Sequence, residues 1–397
     1  MGLRCGSRLF FGFEVREASD DVCPERPLTV VSLKLVDVSV IIPSLNEEKT
    51  IGTCIEKVKT VFSKYELDGE IIVADNSEDD TPKIACSMGA IVVTPDRMGY
   101  GYAYLYGFKH AKGEYLVIGD ADDTYDFMEI PAMLEPLMKG EADLVIGTRL
   151  NGKIEAGAMP WLHRRIGNPI LTWFLNQSFK TGISDAHCGF RAISRDALEK
   201  MSLRSQGMEF ASEMIIEAAR VGLRIREVPV TYYQRKGGNS KLSSFSDGWR
   251  HLRFMLLYAP TYLFEYPGIL FLSLGVFLMA SALLNINIGF IPSTNSMIAG
   301  SLLTIIGYQV FFFGAFTKMI QGGSLSKSFT LEKGATAAIF IFTLGFAWTV
   351  RLVSEFISSR VSPPVEQSIV GFSLMILGLQ TFFSSFMLSI ISMGRKR

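Results

Sequence analysis

The sequence predicts an α/β domain with a mostly parallel sheet, followed by an α-helical transmembrane domain. Three observations predict it. From Val38 to Arg149, apolar strand-like runs alternate with amphipathic helical runs. The apolar runs stop at acids, glycines or prolines, as strands do where their carboxyl ends meet a ligand. The C-terminal third carries long stretches without a charge, and 48% of the 397 residues are apolar, too many for a purely soluble chain.

The elements follow in order. Val38 to Ile42 is a strand that meets Pro43. Asn46 is placed to cap the next helix, with Glu47 and Glu48 suiting its positive end. That helix is expected to reach about Tyr65, with Ile51, Ile55, Val58 and Phe62 on one stripe. Glu70 to Ala74 is a second strand ending in Asp75, and Asp79, Asp80 and Thr81 open a second helix. Ala90 to Thr94 is a third strand. Gly99 and Gly101 begin a third helix and let backbone come close to a ligand. Tyr115 to Ile118 is the fourth strand and Asp143 to Arg149 the fifth.

The fourth strand ends in Gly119-Asp-Ala-Asp-Asp-Thr-Tyr-Asp-Phe127. Asp120, Asp122 and Asp123 at one strand end repel one another unless a cation sits there. Mg²⁺ or Mn²⁺ holding a diphosphate suits such hard oxygen ligands. An acidic loop capping the next helix is the other reading of these residues alone.

With that cluster, Pro43-Ser-Leu-Asn-Glu-Glu48, Val73-Ala-Asp-Asn-Ser-Glu-Asp-Asp-Thr81 and Gly147-Thr-Arg149 resemble the family-two nucleotide-sugar glycosyltransferases of the GT-A fold. Ser184-Asp-Ala-His-Cys-Gly-Phe-Arg191, Met208-Glu-Phe210 with Glu213, Glu227-Val-Pro-Val230 and Arg235-Lys-Gly-Gly-Asn-Ser-Lys-Leu242 narrow the resemblance to the dolichyl-phosphate or polyprenyl-phosphate sugar synthases. Two positions depart from the family pattern. Ala74 precedes Asp75 where paired acids are frequent, and Thr124 stands where many mannose synthases carry Gln.

The resemblance implies a Rossmann-like, nucleotide-sugar-binding domain and an inverting transfer of a hexose (mannose, glucose or an N-acetylhexosamine) to dolichyl or polyprenyl phosphate. Asp122 would bind the metal, with Asp120 sharing it or contacting ribose. Pro43, Asn46, Glu47 and Asp75 would line the nucleoside pocket with Asp120. Arg149 would pair with a phosphate, or form a surface salt bridge at the strand end. Arg235 and Lys241, with Ser240, would attract the acceptor phosphate, or be a solvated charge run. Asp122, Arg149 and Arg235 are the expected catalytic residues. Transfer to a hydroxyl lipid or a growing polysaccharide, and a non-catalytic membrane carrier or scaffold, are the competing readings. A polysaccharide synthase would carry Gln-x-x-Arg-Trp, whereas Gln234-Arg235 is followed by Lys-Gly-Gly.

Gly268 to Phe290, Met297 to Thr317 and Ser368 to Ser392 hold no charge, and each exceeds the roughly 20 residues that span a bilayer. Ala335 to Val350 reaches that length only with Arg351 and Glu355, one turn apart and able to pair. Four helices are expected. Lys318, Lys327 and Lys333, the Arg395-Lys-Arg397 end, and Arg250 and Arg253 place the catalytic domain and both termini in the cytosol. The organisation read from this is a flexible extension over 1–36, the transferase domain over 37–242, an amphipathic juxtamembrane segment over 243–266 with Trp249, Leu252 and Leu256 at helical spacing, and the four-helix membrane region over 267–397. Pro160-Trp-Leu-His-Arg-Arg165, with Ile170, Leu171, Trp173, Phe174 and Leu175, is a second amphipathic candidate, fit either for the entry of a lipid tail or for the core. Zero net charge suggests no nucleic-acid partner. The five cysteines show no metal spacing, and His187 beside Cys188 reads as structural.

Overall fold

The computed structural model describes residues 37–236, 244–321 and 330–394. Residues 1–36, Ser240, Lys241, Lys327 and Arg395-Lys-Arg397, on which some expectations rest, lie outside the described residues. The chain divides into two compact units, Met1–Gly248 and Trp249–Arg397.

The first unit is built on a seven-stranded sheet. In chain order its elements are β1 (Val38–Ser44), α1 (Ile51–Lys64), β2 (Gly69–Asp75), α2 (Thr81–Ser87), β3 (Ile91–Val93), α3 (Tyr100–His110), β4 (Tyr115–Ile118), α4 (Ile130–Met138), β5 (Leu144–Ile154), α5 (Asn168–Phe179), β6 (Arg191–Ser194), α6 (Arg195–Lys200), α7 (Phe210–Arg220) and β7 (Ile225–Tyr232). The strand order is β3-β2-β1-β4-β6-β5-β7. All neighbours are parallel except β6, which runs against both β4 and β5. Val40, Ile41, Ile42, Ile72, Val73, Leu116, Val117, Leu144 and Val145 are fully buried. Strands covered on both faces read as unbroken apolar runs, which is why they were visible in the sequence.

This topology positions the site. Ser44 is level with Asp75 across β1 and β2. Ile118, one residue before Gly119, pairs with Arg191 at the start of β6. The carboxyl ends of β1, β2 and β4 and the loop that enters β6 therefore meet at one edge. One helix start differs from expectation. Helix α1 begins after Thr50, and Asn46 caps nothing; it sits in a left-handed turn at φ 55°.

The second unit holds α8 (Ser244–Tyr258), which runs across the division, then α9 (Tyr266–Leu283), α10 (Thr294–Ile320), α11 (Leu331–Ser359) and α12 (Val365–Gly394). A π-turn extends α9 backwards, so the four helices long and apolar enough to cross a membrane are Thr261–Leu283, Thr294–Ile320, Leu331–Ser359 and Val365–Met393. The first span ends earlier than the uncharged run. Asn285 takes a left-handed turn at φ 52° and the Asn287 side chain accepts from Gly289 N at 3.0 Å. The third is a full span, and Arg351 and Glu355 do pair within it, at 3.3 Å, with Arg351 over the Trp348 ring.

Glycine lets these helices touch. A Cβ on Gly307 would lie 2.3 Å from Leu272 N, and one on Gly275 2.5 Å from Thr304 N, so α9 and α10 are in backbone contact. Hydrocarbon lipid gives no hydrophobic drive for helix pairing, so close packing and polar links take over. Ser301 and Ser373 hydroxyls, 2.8 Å apart, and Gln380 donating to Gln309 at 3.0 Å link α10 to α12.

Candidate active site

The end of β4 carries the three aspartates, and each meets its charge differently. Asp123 is buried, in a left-handed turn at φ 58°, between the Lys57 and Lys236 ammonium groups, both at 2.7 Å. Asp122 accepts from Thr124 N at 3.1 Å and the Thr124 hydroxyl at 2.6 Å, and its other oxygen faces Arg235 at 3.5 Å. Asp120 accepts from the hydroxyls of Tyr100 at 2.8 Å and Tyr104 at 3.3 Å. Loss of bulk water around it, then the charge of Asp122, push its carboxyl up to about 6. Asp120 and Asp122 thus keep carboxylates without a lysine counter-ion, whereas Asp123 is already neutralised. Among the described residues no three His, Cys, Asp or Glu side chains are arranged to hold a metal by themselves. Two carboxylates suffice for a divalent ion that completes its shell with substrate phosphate oxygens and water, so the donor set fits such an ion.

The expected nucleoside residues come together beside this cluster. Asp75 is buried and accepts from the Ser44 hydroxyl at 2.5 Å, the Ser77 hydroxyl at 2.6 Å and Ser77 N at 3.1 Å. Asn46 N donates to the Ser77 hydroxyl at 2.6 Å, and the Asn46 side chain accepts from Glu78 N at 2.9 Å. Pro43 pairs in register with Ala74. Glu47 N donates to the Thr81 hydroxyl at 2.9 Å, and the Glu47 carboxylate pairs with Arg235. Arg235 therefore stands between Glu47 and Asp122, joining the residues expected to line a nucleoside pocket to the acid cluster.

Arg149 lies elsewhere than a free phosphate-binding fork. Only 7% of it is exposed, and its guanidinium is bidentate to Asp185, at 2.7 and 2.9 Å. A pair that is itself buried, not a surface salt bridge, holds the Asp185 carboxyl below the usual carboxylate range despite burial. The ring of Tyr232 covers the guanidinium at 5.2 Å. Arg191 is buried as well and uses carbonyls only, donating to Ala186, Cys188 and Ala211 at 2.7–3.0 Å. Together they pin the loop from Asp185 to Arg191. That loop brings Gly189 against Asp120, where a Cβ would come within 2.8 Å of Oδ2. Burial raises the Cys188 thiol to about 12, which leaves it no role as a nucleophile and fits the structural reading of the His187–Cys188 pair.

Residues 39–202 match the family model described as glycosyl transferase family 2, and residues 323–392 match its C-terminal transmembrane region. The low-salt glycan biosynthesis hexosyltransferase Agl6 of Haloferax volcanii is 44% identical over 363 residues, covering 88% of each chain. This chain belongs to glycosyltransferase family 2. An uncharacterized glycosyltransferase of Mycobacterium tuberculosis is 32% identical over 207 residues, spanning 52% of this chain and 89% of that protein. Among solved structures, glucosyl-3-phosphoglycerate synthase of M. tuberculosis in complex with Mn²⁺, UDP and glucosyl-3-phosphoglycerate has a TM-score of 0.46 at 25% identity, over 56% of this chain and 80% of that one. The protein is a membrane-associated family 2 glycosyltransferase.

Several residues of the transferase site were not picked out from the sequence. Tyr100 and Tyr104 carried a signal, since one helical turn apart they face the same way. Lys57 and Lys236 carried none, lying far from Asp123 in sequence. The Asp185 pair yields a stability prediction. Removing one member of a buried ion pair costs about 3–5 kcal/mol because the other charge is stranded. Asp185→Asn should lower the unfolding temperature of the detergent-solubilised chain. A depressed folded-state carboxyl stabilises above its unfolded pKa of about 3.9 and ceases to do so as pH falls through the lower folded value. The wild type should therefore lose stability as pH drops below about 4. Asp185→Asn should show a flatter acid limb in thermal unfolding across that range, and a parallel limb would remove Asp185 from the account.

Proposed function

We propose that this glycosyltransferase moves a hexose from a nucleotide diphosphate sugar to a dolichyl or polyprenyl phosphate, with inversion, using Mg²⁺ or Mn²⁺. The observation that carries the reading is the β4 end, where Asp120 and Asp122 remain without a lysine while Asp123 is neutralised by two. The 44% identity to a hexosyltransferase over most of both chains supports the sugar class. Asp120 and Asp122 would hold the divalent ion, whose chemistry when bound is to neutralise charge on the leaving diphosphate.

The chain's own residues do the rest. Tyr100 and Tyr104 fix one Asp120 oxygen, and Thr124 fixes one Asp122 oxygen. Pro43, Asn46, Glu47 and Asp75 form the nucleoside side, where Asp75 holds the Ser44–Ser77 turn. Arg149 positions the Asp185 loop and adds positive potential near Asp120. Arg235 carries a guanidinium to the acceptor side, with Ser240 and Lys241 close behind it in sequence. A phosphomonoester acceptor has a second pKa of roughly 6 and is largely a dianion at neutral pH. It needs no strong general base, and one in-line displacement inverts the anomeric carbon. A hydroxyl acceptor would need a base, whereas the cations Arg235 and Lys241 favour an anionic acceptor.

The four spans and the transmembrane family match make this a membrane protein. We place the catalytic unit and both ends of this chain on the cytosolic side, on Lys318 and Lys333 and on the basic residues outside the described segments. Protease added to sealed, right-side-out cells should leave the chain before Thr261 intact. Cleavage there without lysis refutes the orientation.

Membranes containing the protein, given a panel of labelled nucleotide sugars and polyprenyl phosphates, test the activity. Asp122→Asn keeps shape and removes charge, so turnover should fall by orders of magnitude with the fold retained. Near-normal turnover, or full wild-type activity in EDTA, defeats the metal assignment. Arg235→Ala removes a charge-assisted contact of roughly 1.5–3 kcal/mol, about ten- to a hundredfold in acceptor kcat/KM. Donor binding should change far less. Equal loss in both moves Arg235 to the donor side, and transfer to a lipid alcohol alone promotes the hydroxyl acceptor.

A further inference from the structure

The catalytic unit exposes one coherent apolar face. Trp161 is 67% exposed, Leu162 53%, Ile170 56% and Trp173 59%, with Ile166 at 39%. These are five of the ten large hydrophobic side chains that the described part of Met1–Gly248 leaves exposed; Tyr65, Ile91, Met98, Met138 and Val221 are scattered singly. Scattered singles need no explanation, whereas a contiguous patch marks a contact. Leu162, Ile166, Ile170 and Trp173 recur at one helical face through the π-turn His163–Gly167 and α5. The opposite face is satisfied, since Thr172 and Leu175 are buried in the domain. This stripe is therefore not an ordinary core helix seen from outside.

Its charge is one-sided. From Ala156 to Ser184 there is no acidic residue, while Arg164, Arg165 and Lys180 are cations, all exposed. Exposed tryptophans towards the two ends of an apolar stretch, Trp161 and Trp173, with Arg164 and Arg165 between them, match the headgroup–acyl boundary of a bilayer. The same chain carries four spanning helices, so a bilayer is always tethered to this domain.

We infer that the segment from Trp161 to Trp173 is a membrane-docking helix, lying in the interface of an anionic bilayer with Trp161, Leu162, Ile166, Ile170 and Trp173 immersed and Arg164 and Arg165 on lipid phosphates. This goes beyond the transferase reading and does not depend on the acceptor's identity.

The test uses the full chain in lipid nanodiscs. Trp249→Phe with Trp348→Phe leaves Trp161 and Trp173 as the fluorophores. Their emission should be quenched by lipids brominated near the headgroup end of the acyl chain, and hardly by aqueous acrylamide. Should that double variant not fold, the signal lost between the wild type and Trp161→Phe/Trp173→Phe reads the same contact. Ile170→Glu, at an exposed position, should reduce lipid quenching of Trp161 without lowering the unfolding temperature. Raising the phosphatidylglycerol content should deepen quenching in the wild type and not in Arg164→Ala/Arg165→Ala. Ready quenching by acrylamide with none by brominated lipid puts the face in water and overturns the inference. Shielding from both quenchers means that protein, such as a second copy, covers the face, and overturns it equally. Identical quenching in zwitterionic and anionic discs removes the anionic surface as the ligand.

Discussion

The crowding of carboxylates at the end of β4 is the constraint on which the rest of the catalytic unit depends. Three aspartates within four residues cannot all remain charged at a sheet edge without help. The fold recruits that help from distant segments. Lys57 comes from α1 and Lys236 from beyond β7, and both go to Asp123. Two tyrosines from α3 go to Asp120, and Arg235 goes to Asp122. Compensation is graded, complete at Asp123 and least at Asp120, whose carboxyl rises to about 6. A site whose anions were all neutralised would have no affinity left for a cation. Unequal pairing fixes where affinity remains.

The antiparallel strand β6 gives this edge its second wall. Running against β4, it delivers the loop from Asp185 to Gly189 to the point where β4 releases Asp120. A loop of this kind would carry unsatisfied polar groups into the interior. Two buried arginines answer that need in different ways. Arg191 satisfies three carbonyls and has no carboxylate, so burial lowers its pKa. Arg149 is matched to Asp185, and Glu227 accepts from Ser184 N and Asp185 N at 2.8 and 3.0 Å to hold the other side of the turn. Gly189 then fits against Asp120 because a side chain there has no room.

What could be read from the sequence follows from whether its cause is local. The first five strands were legible because burial on both faces writes itself as apolar runs, and four spanning helices because hydrocarbon excludes charge over a fixed length. Asp120 and Asp122 were legible as a motif. Strands β6 and β7 were less so, being a short antiparallel insertion and a half-exposed edge strand carrying Pro229. Asn46 misled because an Asn ahead of an apolar stripe is a cap signal, while the same residue also tolerates the left-handed turn it adopts here. Arg149 looked like a phosphate ligand since a guanidinium at a strand end has the right shape. Its partner Asp185 lies 36 residues away, and local pattern says nothing of such distances.

The segment from Tyr233 to Lys236 shows how these constraints join. Tyr233 N donates to Thr124 O at 2.9 Å, Arg235 bridges Glu47 and Asp122, and Lys236 pairs with Asp123. Three of the four residues after β7, Tyr233, Arg235 and Lys236, are thus fastened to the acidic turn by one backbone bond and by ion pairs. Those pairs are partly exposed, so each is weaker than the buried Arg149–Asp185 pair and open to competition by other ions. A cation arriving at Asp122 contends with Arg235 for the same oxygen. An anion arriving near Arg235 relieves that contention by drawing the guanidinium away. On the proposed function, the metal-binding carboxylate and the acceptor phosphate would thus meet at one arginine, which the structure places between Glu47 and Asp122.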